Sequence, residues 1–96
     1  MATPESKIKT KVKKILTEYG CYQFWPVQMG YGAPTLDCIG CHKGRFFSVE
    51  TKAEGKELTQ RQKLTKIDME TAEGVVFVVR DEWQLVVLRA WLKLGR

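Results

Sequence analysis

The chain has 96 residues, 44% of them apolar and 28% charged, and its 16 Lys and Arg against 11 Asp and Glu give a net charge of +5. These values describe one globular domain (1–96) with a modest core, burying ~60–65% of the surface its unfolded form exposes, and they exclude intrinsic disorder. No apolar run nears the ~18 residues of a membrane span, and the first residues lack a basic segment followed by an apolar one, so the cytosol of the producing cell is the expected location.

In chain order, residues 5–19 predict a helix. Ile8, Val12, Ile15, Leu16 and Tyr19 form an apolar stripe, with Thr3 or Ser6 as a cap, Pro4 in the first turn and Gly20 as the stop. Lys7, Lys11 and Lys14 make a second row, with Lys9 and Lys13 beside it. A row of this kind is either a solvated face or a phosphate-contacting surface, and a +5 domain favours a polyanionic partner without identifying one.

Residues 21–27 are aromatic and β-prone, with an irregularity expected at Pro26. Gly30, Tyr31 and Gly32, followed by Ala33 and Pro34, mark a loop that a nucleic-acid backbone can approach closely; Tyr31, Gln28 and Trp25 sit in or before it, Trp25 being the better core residue. Residues 35–41 and 45–53 predict a hairpin about a Lys43-Gly44 turn. Residues 59–73 predict a helix with a Thr59-x-x-Gln62 capping box, Leu64, Ile67 and Thr71 at i, i+3 and i+7, and Gly74 as its stop. The run Val75-Val76-Phe77-Val78-Val79 suits a strand buried on both faces. Asp81 caps a last helix with Trp83, Val87, Leu88, Trp91 and Leu92 on its apolar side, the two tryptophans fitting a core or a dimer interface. The order αβββαβα implies a mixed sheet flanked by helices, the third and fourth strands joined by a right-handed βαβ crossover.

Cys21, Cys38 and Cys41 are too few and too oddly numbered for a disulfide framework. Cys38-x-x-Cys41-His42 has the spelling of a haem or metal motif but lacks a full ligand set, and buried apolar cysteines are the simpler reading.

The chemistry centres on the third strand. Alternation puts Glu50 and Lys52 on one face with Phe46 and Ser48, while Phe47, Val49 and Thr51 point the other way. Asp37 stands in the preceding strand, and the hairpin register would bring it beside Glu50. Two clustered carboxylates repel unless a cation lies between them, and oxygen ligands suit Mg2+ or Mn2+. A lysine beside such a pair is placed to position a water or to offset charge building on phosphorus, as phosphodiester hydrolysis requires. The simpler alternative is a solvated Glu50–Lys52 pair with an edge Asp37.

The segments Gly32-Ala33-Pro34-Thr35-Leu36-Asp37, Gly44-Arg45-Phe46-Phe47-Ser48-Val49-Glu50-Thr51-Lys52-Ala53 and Gly55-Lys56-Glu57-Leu58-Thr59-Gln60-Arg61-Gln62 resemble the VRR-NUC branch of the PD-(D/E)XK nuclease superfamily, above all its small stand-alone bacteriophage members. The resemblance implies a restriction-endonuclease-like core and a metal-dependent DNA endonuclease, with a homodimer acting on branched DNA in the manner of Holliday-junction resolvases. It matches Asp37 and Glu50 to metal-binding carboxylates, Lys52 to the lysine of (D/E)-x-K, Gln62 to the glutamine opening the next helix and Glu5 to an acidic residue of the first helix. It adds the Thr51 carbonyl as a further metal ligand. The family's Pro-Asp pair is interrupted here, Thr35 and Leu36 separating Pro34 from Asp37. A non-catalytic nucleic-acid-binding module on the same fold, or a small basic protein-interaction factor, is the alternative to the nuclease.

Overall fold

The structure is a computed structural model that describes residues 3–27 and 32–95. Seven elements follow one another: α1 (Pro4–Glu18), β1 (Tyr22–Phe24), β2 (Cys38–His42), β3 (Arg45–Thr51), α2 (Gln60–Thr71), β4 (Val75–Val79) and α3 (Glu82–Leu94). They build a mixed α/β fold whose four strands lie in the order β1-β2-β3-β4.

Local chemistry accounts for the element ends. Thr3 and Ser6 exchange backbone and side-chain hydrogen bonds in a capping box, with Pro4 in the first turn of α1. Gly20 (φ 68°) closes α1 in a left-handed turn, and the N–H groups of Gly20 and Cys21 satisfy the Thr17 and Leu16 carbonyls. At the end of α2 the same turn falls on Glu73 (φ 68°), one residue before the expected stop at Gly74; the Gly74 N–H reaches the Met69 carbonyl at 2.9 Å. Gly74 is needed there for space, because a Cβ would stand 2.7 Å from the Phe46 ring. Glu73→Gly is therefore expected to stabilise the fold by about 1 kcal/mol, the left-handed penalty of a side chain with a Cβ, read as a higher denaturation midpoint in urea.

Lys43 and Gly44 both have positive φ (52° and 81°), which suits a two-residue hairpin turn. The turn sets β2 antiparallel to β3, with Cys38 opposite Val49 and His42 opposite Arg45. β1 pairs antiparallel with β2 and stops at Phe24, ahead of Pro26. β4 runs parallel to β3, with Glu50 opposite Val78, after the crossover through α2.

Two layers of helix cover the sheet. Val12, Ile15 and Leu16 of α1 and Leu85, Leu88 and Leu92 of α3 pack with Cys38, Phe47, Val49 and Val79 on one face. α2 lies over the opposite face, where Thr65 is buried and Phe46 meets the Met69–Gly74 turn.

Four sequence expectations are corrected. The second strand begins at Cys38 rather than at residue 35, so Asp37 precedes it. Leu64 and Ile67 are exposed, because α2 turns Gln62 and Thr65 toward the sheet instead. On α3 the buried stripe is Leu85, Leu88 and Leu92; Trp83 and Val87 face out, and Trp91 alone of the two tryptophans packs inward, against Phe47 and Phe77. β4 is an edge strand, so only Val79 of its five residues is fully buried. Among the described residues no helix is long and apolar enough to cross a membrane.

Candidate functional site

The β2–β3 register decides the site. With Cys38 opposite Val49, the next pair outward is Asp37 and Glu50, at the end of the sheet where β3 finishes and β2 begins. The Asp37 N–H donates to Glu50 Oε1 at 3.0 Å. Asp37 Oδ2 accepts two hydrogen bonds from Thr51, from its N–H at 3.0 Å and its hydroxyl at 2.7 Å. The two acidic residues are thus locked to each other's strand through main-chain donors, and Asp37 Oδ1 is not used by Thr51.

Gln62 serves two structures at once. Its Oε1 accepts from the Thr59 N–H at 2.9 Å and its own N–H donates to Thr59 Oγ1 at 3.2 Å, which completes the capping box of α2. Its Nε2 donates to Glu50 Oε2 at 3.0 Å. One side chain makes both contacts because the cap fixes which end of the amide faces the carboxylate. Lys52 follows β3, its ammonium 4.0 Å from Glu50 Oε2 and its side chain only 14% exposed.

Glu50 itself is 3% exposed. Burial pushes its carboxyl up from 4.5 to about 7, and the Asp37 charge adds to the rise. The Asp37 N–H and the Lys52 ammonium pull it down by less, and Glu5 raises it slightly further. Glu5 therefore stands close enough for its charge to act at the site, from the first turn of α1. Of the predicted site residues, Asp37, Glu50, Thr51, Lys52 and Gln62 converge directly, and Glu5 contributes through its field.

The role of Thr51 as donor to Asp37 is not legible from strand alternation, which sends Thr51 to the opposite face from Glu50. It arises because Asp37 lies just before β2, where its carboxylate turns back to the end of β3. The β2–β3 register is the signal that reveals it.

The remaining predicted residues are dispersed. Gly30 and Tyr31, with Gln28, lie outside the described residues; Gly32 is exposed with a left-handed backbone (φ 75°). Lys7, Lys11 and Lys14 are exposed, and Lys11 is drawn to α3, where it pairs with Glu82 at 3.2 Å. Lys9 and Lys13 occupy the other flank of α1, over the Trp25 ring. Cys38 and Cys41 fall on opposite sides of β2, one buried and one exposed. His42 is buried, with Nε2 3.0 Å from the Leu92 carbonyl and Nδ1 3.5 Å from Cys21 Sγ, so its ring ties the sheet to α3.

Comparison with protein-family models, with curated proteins and with solved structures finds no match.

Proposed function

We propose that the chain is a divalent-metal-dependent DNA endonuclease on a restriction-endonuclease-like core, hydrolysing phosphodiester bonds as its resemblance to the VRR-NUC branch implies. The observation that carries the reading is Glu50, a nearly buried carboxylate bonded by Asp37 and Gln62 with a lysine ammonium beside it. A carboxylate is costly to bury unless cations or donors compensate it, and a second carboxylate next to it adds to the cost.

The donor set fits a hard divalent cation. Among the described residues no group of three or more His, Cys, Asp or Glu gathers as a ligand cage. Magnesium suits such a sparse set, since it commonly takes one or two carboxylates and completes its shell with water and substrate phosphate. Asp37 and Glu50, with the Thr51 carbonyl, would hold Mg2+ or Mn2+. Bound there, the ion would supply Lewis-acid polarisation of a phosphate oxygen and a more acidic water.

The chain's own groups have separable tasks. Thr51 orients Asp37 through two hydrogen bonds, and Gln62 holds one oxygen of Glu50. Lys52, held in a largely enclosed position, offsets charge that builds on the phosphoryl oxygens or steadies the attacking water. Glu5 adds negative charge, which favours a cation at the site. The homodimer and the branched substrate are carried over from the resemblance; exposed Trp83, Val86 and Val87 on α3 offer apolar surface for such pairing.

The test is incubation of supercoiled DNA and a four-way junction with Mn2+, Mg2+ or chelator. Cutting is expected with either metal and in no chelator lane. Lys52→Ala is expected to slow cutting roughly 10²–10³-fold, in line with loss of one transition-state charge partner, while DNA retention in a gel persists. Retention without cutting in every lane would replace the nuclease by a binding module.

A further inference from the structure

Trp25 lies one residue past β1, and continuing the β1–β2 register sets it opposite Cys38, next to Asp37. Its ring is fixed. The indole N–H donates to Gln23 Oε1 at 2.8 Å, Gln23 Nε2 donates to Thr17 Oγ1 at 3.1 Å, and the ring packs on the core. Two ammonium groups stand over it, Lys9 Nζ at 5.8 Å and Lys13 Nζ at 5.0 Å from the ring centre. The face of an indole ring attracts cations, so the ring holds two like charges together on one flank of α1.

Neither lysine is paired with a carboxylate among the described residues, whereas Lys11 pairs with Glu82, Lys66 with Glu70 and Arg89 with Glu18. Among the described residues the ammonium groups of Lys9 and Lys13 meet the Trp25 ring and make no ion pair. Glu5 is one helical turn before Lys9, and Trp25, which carries both ammonium groups, stands next to Asp37 by register, so this flank adjoins the carboxylate site. The α2 side of the sheet is different: the groove between Pro34, Phe46 and Met69 has Asp68 and Glu73 in its lining, which repel a polyanion.

We propose that Lys9 and Lys13, held on Trp25, form the surface that grips the phosphodiester backbone of DNA next to the Asp37–Glu50 site. The proposal rests on the nucleic-acid reading above and names where the polyanion lies. Lys7 and Lys14, although equally basic, sit on another side of the helix and contribute only diffuse attraction.

Binding of a fluorescent duplex is measured in chelator, so that nothing is cut, across a salt series. Lys9→Ala/Lys13→Ala is compared with Lys7→Ala/Lys14→Ala, which removes the same two charges. The first pair is expected to weaken binding at least roughly tenfold near 0.1 M salt and to flatten the slope of log affinity against log salt by about 1.8, the value for two lost phosphate contacts. The second pair should leave the slope nearly unchanged. Equal losses in both, or no loss in the first, overturn the assignment, as does a wild-type protein with no affinity at low salt. Cutting is assayed in parallel with Mn2+: a wild type that cuts while the Lys9/Lys13 pair binds normally keeps the nuclease and discards the surface. A wild type that never cuts while that pair loses binding does the reverse.

Discussion

Glu50→Gln is expected to abolish cutting and, above pH 7, to make the protein more stable. The two effects have one cause. The Glu50 carboxyl is pushed up from 4.5 to about 7, chiefly by burial and next by Asp37. Between these two values the folded chain keeps a proton that the unfolded chain releases. Stability is therefore greatest below pH 4.5 with respect to this group, falls as pH rises toward 7, and levels off above it. The full cost of the ionised form is on the order of 3 kcal/mol. An uncharged glutamine removes that cost. Part of the gain is lost again, because its amide would face the Gln62 amide, and Gln62 cannot turn over without giving up the Thr59 cap. A net gain of about 1–2 kcal/mol at pH 8, vanishing near pH 6 and turning into a loss of about 1 kcal/mol at pH 5, is the expected result of urea unfolding across this range. A variant less stable than wild type at pH 8 would show that the ionised carboxylate is well compensated after all. Cutting that survives the substitution would remove Glu50 from the mechanism.

The second large effect is on metal binding. An ion held by Glu50 must displace its proton, so apparent affinity for Mn2+ is expected to fall up to about tenfold for each pH unit below 7 and to flatten above it. Titration calorimetry in buffers of different ionisation enthalpy would register the proton released near pH 6.5. Asp37→Asn keeps an oxygen for Thr51 but removes the charge that is the second cause of the Glu50 shift. In that variant the bend in affinity should move to lower pH while overall affinity drops. Affinity independent of pH between 5.5 and 8 would mean that the ion is held elsewhere.

Much of this site is legible in the sequence. Glu50-x-Lys52 is visible in the sequence, and the two-residue Lys43-Gly44 turn is enough to count back to Asp37. Thr59-x-x-Gln62 announces its own cap. Other parts could not be read, for specific reasons. Leu64 and Ile67 have the helical spacing of a buried stripe, yet α2 spends its inward face on Gln62 and Thr65. Trp83 and Trp91 stand two turns apart, but one is 70% exposed and the other packs between Phe47 and Phe77. Five lysines on α1 are indistinguishable by type; the packing of α3 on one flank and of Trp25 on the other tells them apart.

Helix starts, the hairpin turn and the αβββαβα order follow from the sequence by itself, because caps, positive-φ turns and apolar periodicity act over a few neighbouring residues. The pair of hydrogen bonds from Thr51 to Asp37, the burial of Glu50 and the height of its proton affinity belong to the tertiary structure. Desolvation is set by everything packed around a group, and the groups packed around Glu50 come from α1, the start of β2 and the first turn of α2, up to 45 positions away along the chain.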